Sequence, residues 1–127
     1  MNLDAAKVLI DKSLYAPSIH CSYYSCFQLM KFVMFDFFGI TYEVLGSIAS
    51  QSGKKTHEYM IGHLSTELER SGIDIRERME FNRKIRQLKS ARQDSDYEDE
   101  PIDSSKGEKA FLYANEINLF LNKTFHV

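Results

Sequence analysis

Two cysteines, two prolines, six glycines and no tryptophan occur among the 127 residues, and each scarcity excludes something. Two cysteines cannot supply the disulfide framework on which small secreted domains depend. On one helix, Cys21 and Cys26 would point about 140° apart and could not bridge. So few glycines and prolines exclude collagen-like and low-complexity chains. Alternating Val/Ile/Thr runs are missing, as are Asn-Gly and Asp-Gly between apolar stretches, so strands are not expected. A net charge of −2 gives no global pull toward nucleic acid or acidic lipid. The opening segment Met1-Asn-Leu-Asp-Ala-Ala-Lys-Val-Leu-Ile-Asp-Lys12 lacks the basic start, apolar run and small-residue cleavage site of an export signal. The expected location is therefore the cytoplasm. The window Ala16 to Ile40 is long enough to span a bilayer. Lys31 and Asp36 inside it argue for a core helix and against a membrane.

What is present is a 43% hydrophobic chain with helical spacing along most of its length. Its size fits one domain, residues 1–127, large enough to bury about two-thirds of its unfolded surface. A first helix is expected from Leu3 to Tyr15. Pro17 suits the first turn of a second, in which Ile19, Tyr23, Cys26, Phe27, Met30, Val33, Met34 and Phe37 recur at steps of three and four. The opposite face carries Tyr24, Phe32, Phe35 and Phe38, so this helix must be covered on nearly all sides, by its own chain or by a second copy. Gly46 and Ser50-Gln-Ser-Gly-Lys-Lys55 mark a loop. Thr56 then caps a third helix bearing Met60, Ile61, Leu64 and Leu68, which Ser71-Gly72 ends. Asp74 with Glu77 forms a capping box for a fourth helix with Phe81, Ile85 and Leu88 on one line. Asp94 to Asp103 holds six acids and Pro101 and reads as a loop or frayed helix end. Ser105 with Glu108 opens a last helix with Ala110, Ala114, Ile117 and Leu121 inward. The expected fold is all-α, an up-and-down bundle of four to five helices.

The spacing of chemical groups offers little. His20, His57, His63 and His126 form no i, i+4 pair, neither cysteine has a partner at metal-knuckle spacing, and no metal or cofactor is expected. Glycine-rich phosphate loops are missing. Cys21 follows His20, but successive helix positions do not face each other, so a nucleophilic pair is not formed. The sharper signal lies on the fourth helix. Arg83, Lys84, Arg86, Lys89 and Arg92 fall within ten residues that contain no acid. Helix electrostatics and solvation account for Lys84, Arg86 and Lys89. Arg92 continues the Phe81–Ile85–Leu88 line and so points inward, where an arginine needs a carboxylate, phosphate or aromatic partner. Asp94, Asp96 and Tyr97 are the neighbours on offer. The pattern fits a structural Arg–Asp pair or a ligand site formed by Arg92, Asp96 and Tyr97.

The segment Ser22-Tyr-Tyr-Ser-Cys-Phe-Gln-Leu-Met30 resembles the "AYYAMFHAA"-type second helix of the HEPN superfamily of small helical proteins. Lys55-Thr-His57 resembles that family's third-helix start, and Leu88-Lys-Ser-Ala-Arg-Gln-Asp-Ser-Asp-Tyr97 its "LR..ADY" fourth-helix ending. Glu108-Lys-Ala-Phe-Leu-Tyr-Ala-Asn-Glu-Ile-Asn-Leu-Phe-Leu121 is similar to its closing helix. Order and spacing agree from Leu3 to Lys123. The resemblance implies a homodimer with a shared cleft near the fourth-helix ends. It also implies a toxin–antitoxin role beside a minimal nucleotidyltransferase. Active members cut RNA without metal through an Arg-x4–6-His motif, in which Arg steadies the phosphate and His acts as acid or base. Arg92 matches the Arg, but no His follows at that distance, and an ordinary Tyr97 phenol is a poor base at neutral pH. The expected function is therefore non-catalytic: binding of a partner protein, such as a nucleotidyltransferase, or of nucleotide or RNA. A divergent ribonuclease toxin using His57 or Tyr97 with Arg92 is the alternative. A purely structural interaction module is the third reading.

Overall fold

The computed structural model describes residues 2–97 and 102–127, apart from the side chains of Asn2 and Tyr97. These residues form six helices: α1 (Asn2–Asp11), α2 (Tyr15–Phe38), α3 (Tyr42–Gln51), α4 (Thr56–Arg70), α5 (Ile75–Tyr97) and α6 (Ser104–Phe125). No strand occurs among them. The periodic face of α2 explains the arrangement. Ile19, Tyr23, Cys26, Phe27, Met30, Val33 and Met34 are all buried, and α2 packs against every other helix. Met60, Ile61, Leu64 and Leu68 of α4, Phe81, Ile85 and Leu88 of α5, and Ala114, Ile117 and Leu121 of α6 complete one core.

The all-helical class agrees with the residue pattern, while the helix count and several boundaries differ. The additional helix is α3, in a stretch expected to be loop from Gly46 onward. Gly39, in the left-handed conformation at φ 67°, ends α2: its N–H donates to the Phe35 carbonyl, and the Ile40 N–H donates to that of Met34. Thr41 then caps α3, its hydroxyl accepting from the Val44 N–H at 3.2 Å. Leu45 and Ala49 supply the buried stripe that holds α3 against α4. The loop proper is only Ser52–Lys55.

Two caps sit elsewhere than expected, and a third lacks its reciprocal partner. Lys55, not Thr56, occupies the N-cap of α4 and makes no side-chain cap bond. Asp103 caps α6 by accepting from the Lys106 N–H at 2.9 Å, in place of a Ser105–Glu108 box. Asp74 does cap α5, accepting from the Arg76 N–H at 2.7 Å, but Glu77 lies toward Lys123 at 4.0 Å. Helix α5 runs on through Asp94 and Asp96 to Tyr97, so of the two readings of the acidic stretch, loop or helix end, these two acids belong to a helix end.

The other face of α2 is unevenly covered. Tyr24 and Phe38 pack on the core, whereas Phe32 and Phe35 are 49% and 58% exposed; Phe37, expected on the buried line, is 55% exposed because α2 ends beyond the core there. Among the described residues no single helix is long and apolar enough to cross a membrane; α2 and α3 pass on length and composition only as a pair bent by 97°.

Candidate functional site

Four elements meet at the start of α4. Lys55, Thr56 and His57 come from its N-terminal end, Tyr24 from α2, Tyr42 from the start of α3, and Lys89, Arg92 and Gln93 from α5. Together they line an open cleft of about 580 Å³, within the range of about 300–1,000 Å³ usual for small-ligand sites. The α5 residues reach it because Phe81, Ile85 and Leu88 anchor one face of that helix in the core. Arg92 is the next position on the line, and its side chain is 15% exposed.

The arginine is only partly satisfied. Its Nη1 donates to Asp96 Oδ2 at 3.3 Å, which is long for a charge-assisted bond. Its guanidinium carbon lies 5.2 Å from the centre of the Tyr23 ring, a cation–π contact. Its buried Nε has no partner among the described residues. Asp96 also approaches His20, with Oδ1 3.7 Å from Nδ1. Asp94 faces a different groove, between α5 and α6, and is not the partner. Tyr97 ends α5; its side chain lies outside the described residues, as does the acidic stretch 98–101.

His57 is held from below by Tyr23, whose hydroxyl lies 2.6 Å from Nδ1. Its ring packs on Phe27 with centroids 4.0 Å apart. Burial, then the charges of Arg92 and Lys89, push its pKa down from 6.5 to about 4. Burial raises the Tyr23 phenol well above its ordinary value, against a smaller lowering by Arg92. At neutral pH both groups are therefore uncharged. The Tyr23 hydroxyl has no other partner among the described residues, so we assign it as the donor to Nδ1. The neutral imidazole then carries its proton on Nε2. His57 offers a hydrogen-bond donor, not a base.

The electrostatics of the cleft are positive. Lys89 is balanced only loosely, by Glu58 at 3.7 Å, and the first-turn N–H groups of α4 have no side-chain cap. By contrast, a separate groove of about 300 Å³, lined by Phe81 and Phe120 and distinct from the one that Asp94 faces, has Lys84 held by Glu116 at 2.7 Å, so the charge of Lys84 is neutralised internally. Among the described residues, the remaining chemistry-bearing groups do not converge on a second such cleft. Cys26 is buried, with its Sγ 3.6 Å from the Ala114 carbonyl and its pKa pushed up to about 12 by burial, which makes it an inert thiol. No three His, Cys, Asp or Glu groups converge among the described residues.

Of the residues singled out in the sequence, Arg92 and His57 line the cleft, and Asp96 joins it through Arg92. Tyr23, Tyr24, Tyr42, Lys55, Lys89 and Gln93 were not singled out as site residues. Tyr23 read as an ordinary core position, and Lys89 as ordinary helix charge. Only the Lys55-Thr-His57 segment carried a signal. No protein-family model matches the chain, and no curated protein or solved structure matches it.

Proposed function

We propose that this chain is a non-catalytic, HEPN-like helical protein whose cleft binds the phosphate of a nucleotide or of RNA. The observation that carries this reading is the convergence of Arg92, Lys89, Lys55 and the His57 ring on one open cleft. An arginine with donors unused among the described residues, two ammonium groups and a helix start without a side-chain cap together favour a bound phosphate. Tyr24 and Tyr42 on the same wall offer aromatic surface for a base. The ribonuclease alternative asks His57 to exchange a proton near neutral pH. A ring neutral down to about pH 4, with Nδ1 engaged by Tyr23, is poorly suited to that task.

The same reading makes the chain a homodimer. Phe32 and Phe35 are half-exposed on α2, and Tyr42 beside them joins that apolar surface to the cleft. A two-fold contact would use this patch twice. A nucleotidyltransferase partner, a toxin–antitoxin role and a cytoplasmic setting belong to this proposal through the family resemblance. Incubating the protein with single-stranded RNA in the presence of a metal chelator tests the non-catalytic reading: the RNA is expected to bind and remain intact. Metal-independent cleavage that disappears in His57→Ala would replace it with the ribonuclease reading. Light scattering at micromolar concentration is expected to give twice the 14.8 kDa chain mass.

A further inference from the structure

We infer that Asp96 is an internal counter-anion: it engages part of the Arg92 guanidinium at the cleft and sets how tightly a phosphate is bound there. The inference rests on the phosphate-binding reading and adds to it the residue that controls affinity. Arg92 has five N–H donors, and Asp96 engages one of them, monodentately, at 3.3 Å. A fork–fork Arg–carboxylate pair would use two, at shorter distances. The carboxylate is instead shared: its other oxygen lies 3.7 Å from His20, across the gap from α5 to α2. Its side chain remains 29% exposed, so it keeps a water-facing alternative. Asp96 does not line the cleft itself, whereas Arg92 does. An incoming phosphate therefore meets an arginine whose nearest anion among the described residues is loosely held, partly exposed and one helical turn away.

Two consequences follow for a ligand. It gains Arg92 by displacing a weak pair, so binding is opposed by the Asp96 charge but not blocked. The site also selects for anionic charge, because a neutral ligand has nothing with which to replace the carboxylate. Asp94, two residues earlier on the same helix, carries the same charge into the groove between α5 and α6. It provides an internal control.

The test measures binding of 5′-AMP and of a labelled single-stranded RNA to wild type, Asp96→Asn, Asp94→Asn, Arg92→Ala and the Asp96→Asn/Arg92→Ala double variant. Asp96→Asn is expected to tighten both ligands about fivefold, the scale of removing one partly exposed ionic competitor. Asp94→Asn should leave affinity within about twofold. The gain should vanish when Arg92 is already alanine, which shows that it acts through the guanidinium. Equal tightening by both single variants, or a gain that persists without Arg92, would overturn the inference in favour of a net-charge effect. Weaker binding in Asp96→Asn would make Asp96 a positioning residue instead. Those outcomes leave the phosphate site standing, whereas no binding by wild type or by Asp96→Asn would overturn both. Melting of Asp96→Asn should match wild type closely, so that any change in affinity is not one of folding.

Discussion

His57 should make the folded protein less stable in mild acid, through a proton it refuses. Its ordinary pKa of 6.5 applies to the unfolded chain, while in the fold it falls to about 4. Well above pH 6.5 neither state binds the proton, and His57 contributes nothing to the pH dependence there. As pH falls below 6.5 the unfolded chain takes up a proton that the folded chain rejects, so folding loses free energy until pH nears 4. The full shift corresponds to about 3 kcal/mol. Water in the open cleft screens part of this, which leaves about 1–2 kcal/mol. Urea unfolding of wild type and His57→Gln at about pH 7 and about pH 4.5 isolates the effect, because titrating carboxylates are common to both proteins. Wild type should lose about 1–2 kcal/mol more than the variant across that interval. Equal losses, or a His57 that titrates near its ordinary value by NMR, would refute the electrostatic description of the cleft. A bound phosphate adds an anion beside the ring and should raise the NMR midpoint.

Other expectations concern packing and hydrogen bonding. Tyr23→Phe leaves His57 Nδ1 without its donor and should cost about 1–2 kcal/mol by urea unfolding, while raising the His57 midpoint because the neutral ring loses its support. Gly107 sits where α6 crosses the start of α2, and a Cβ there would lie 3.0 Å from Tyr15 Cδ1 and 3.3 Å from Ser18 Oγ. Gly107→Ala should therefore destabilise by about 1–3 kcal/mol. Gly62→Ala meets nothing within 4 Å on α4 and should stabilise by up to about 1 kcal/mol, both being read from melting curves.

The inward direction of Arg92 was legible because Phe81, Ile85 and Leu88 define a face by spacing alone, and α5 continues straight through position 92. The core of α2 was legible for the same reason. Helix α3 was not: it is only ten residues long, Gly46 and the Ser50-Gln-Ser-Gly53 run carry loop signals, and the decisive features are a single Thr41 cap and a two-residue buried stripe. The caps of α4 and α6 shifted by one or two residues because several neighbouring side chains were chemically able to cap. His57 stood out only through its flanking Lys55-Thr56 segment. Its pairing with Tyr23, 34 residues away, is a product of helix packing that no local spacing encodes. Lys89 and Tyr42 enter the site in the same way, as surface residues made functional candidates by what lies across from them.

The central claim is that Arg92 binds a phosphate in this cleft, and one comparison tests it directly: isothermal titration of 5′-AMP into wild type and Arg92→Ala. Arg92 has one long bond to a partly exposed carboxylate, a cation–π contact with Tyr23, and a buried Nε without a partner among the described residues, so its removal should lower folding stability by only about 1–2 kcal/mol. The same change should weaken binding at least about tenfold, the cost of losing a charged hydrogen-bond partner. Wild-type affinity for single-stranded RNA should fall as salt rises, by counterion release. Equal binding by the two proteins would contradict the account. So would a large stability loss in Arg92→Ala together with no measurable nucleotide affinity in wild type, since Arg92 would then be a structural residue alone.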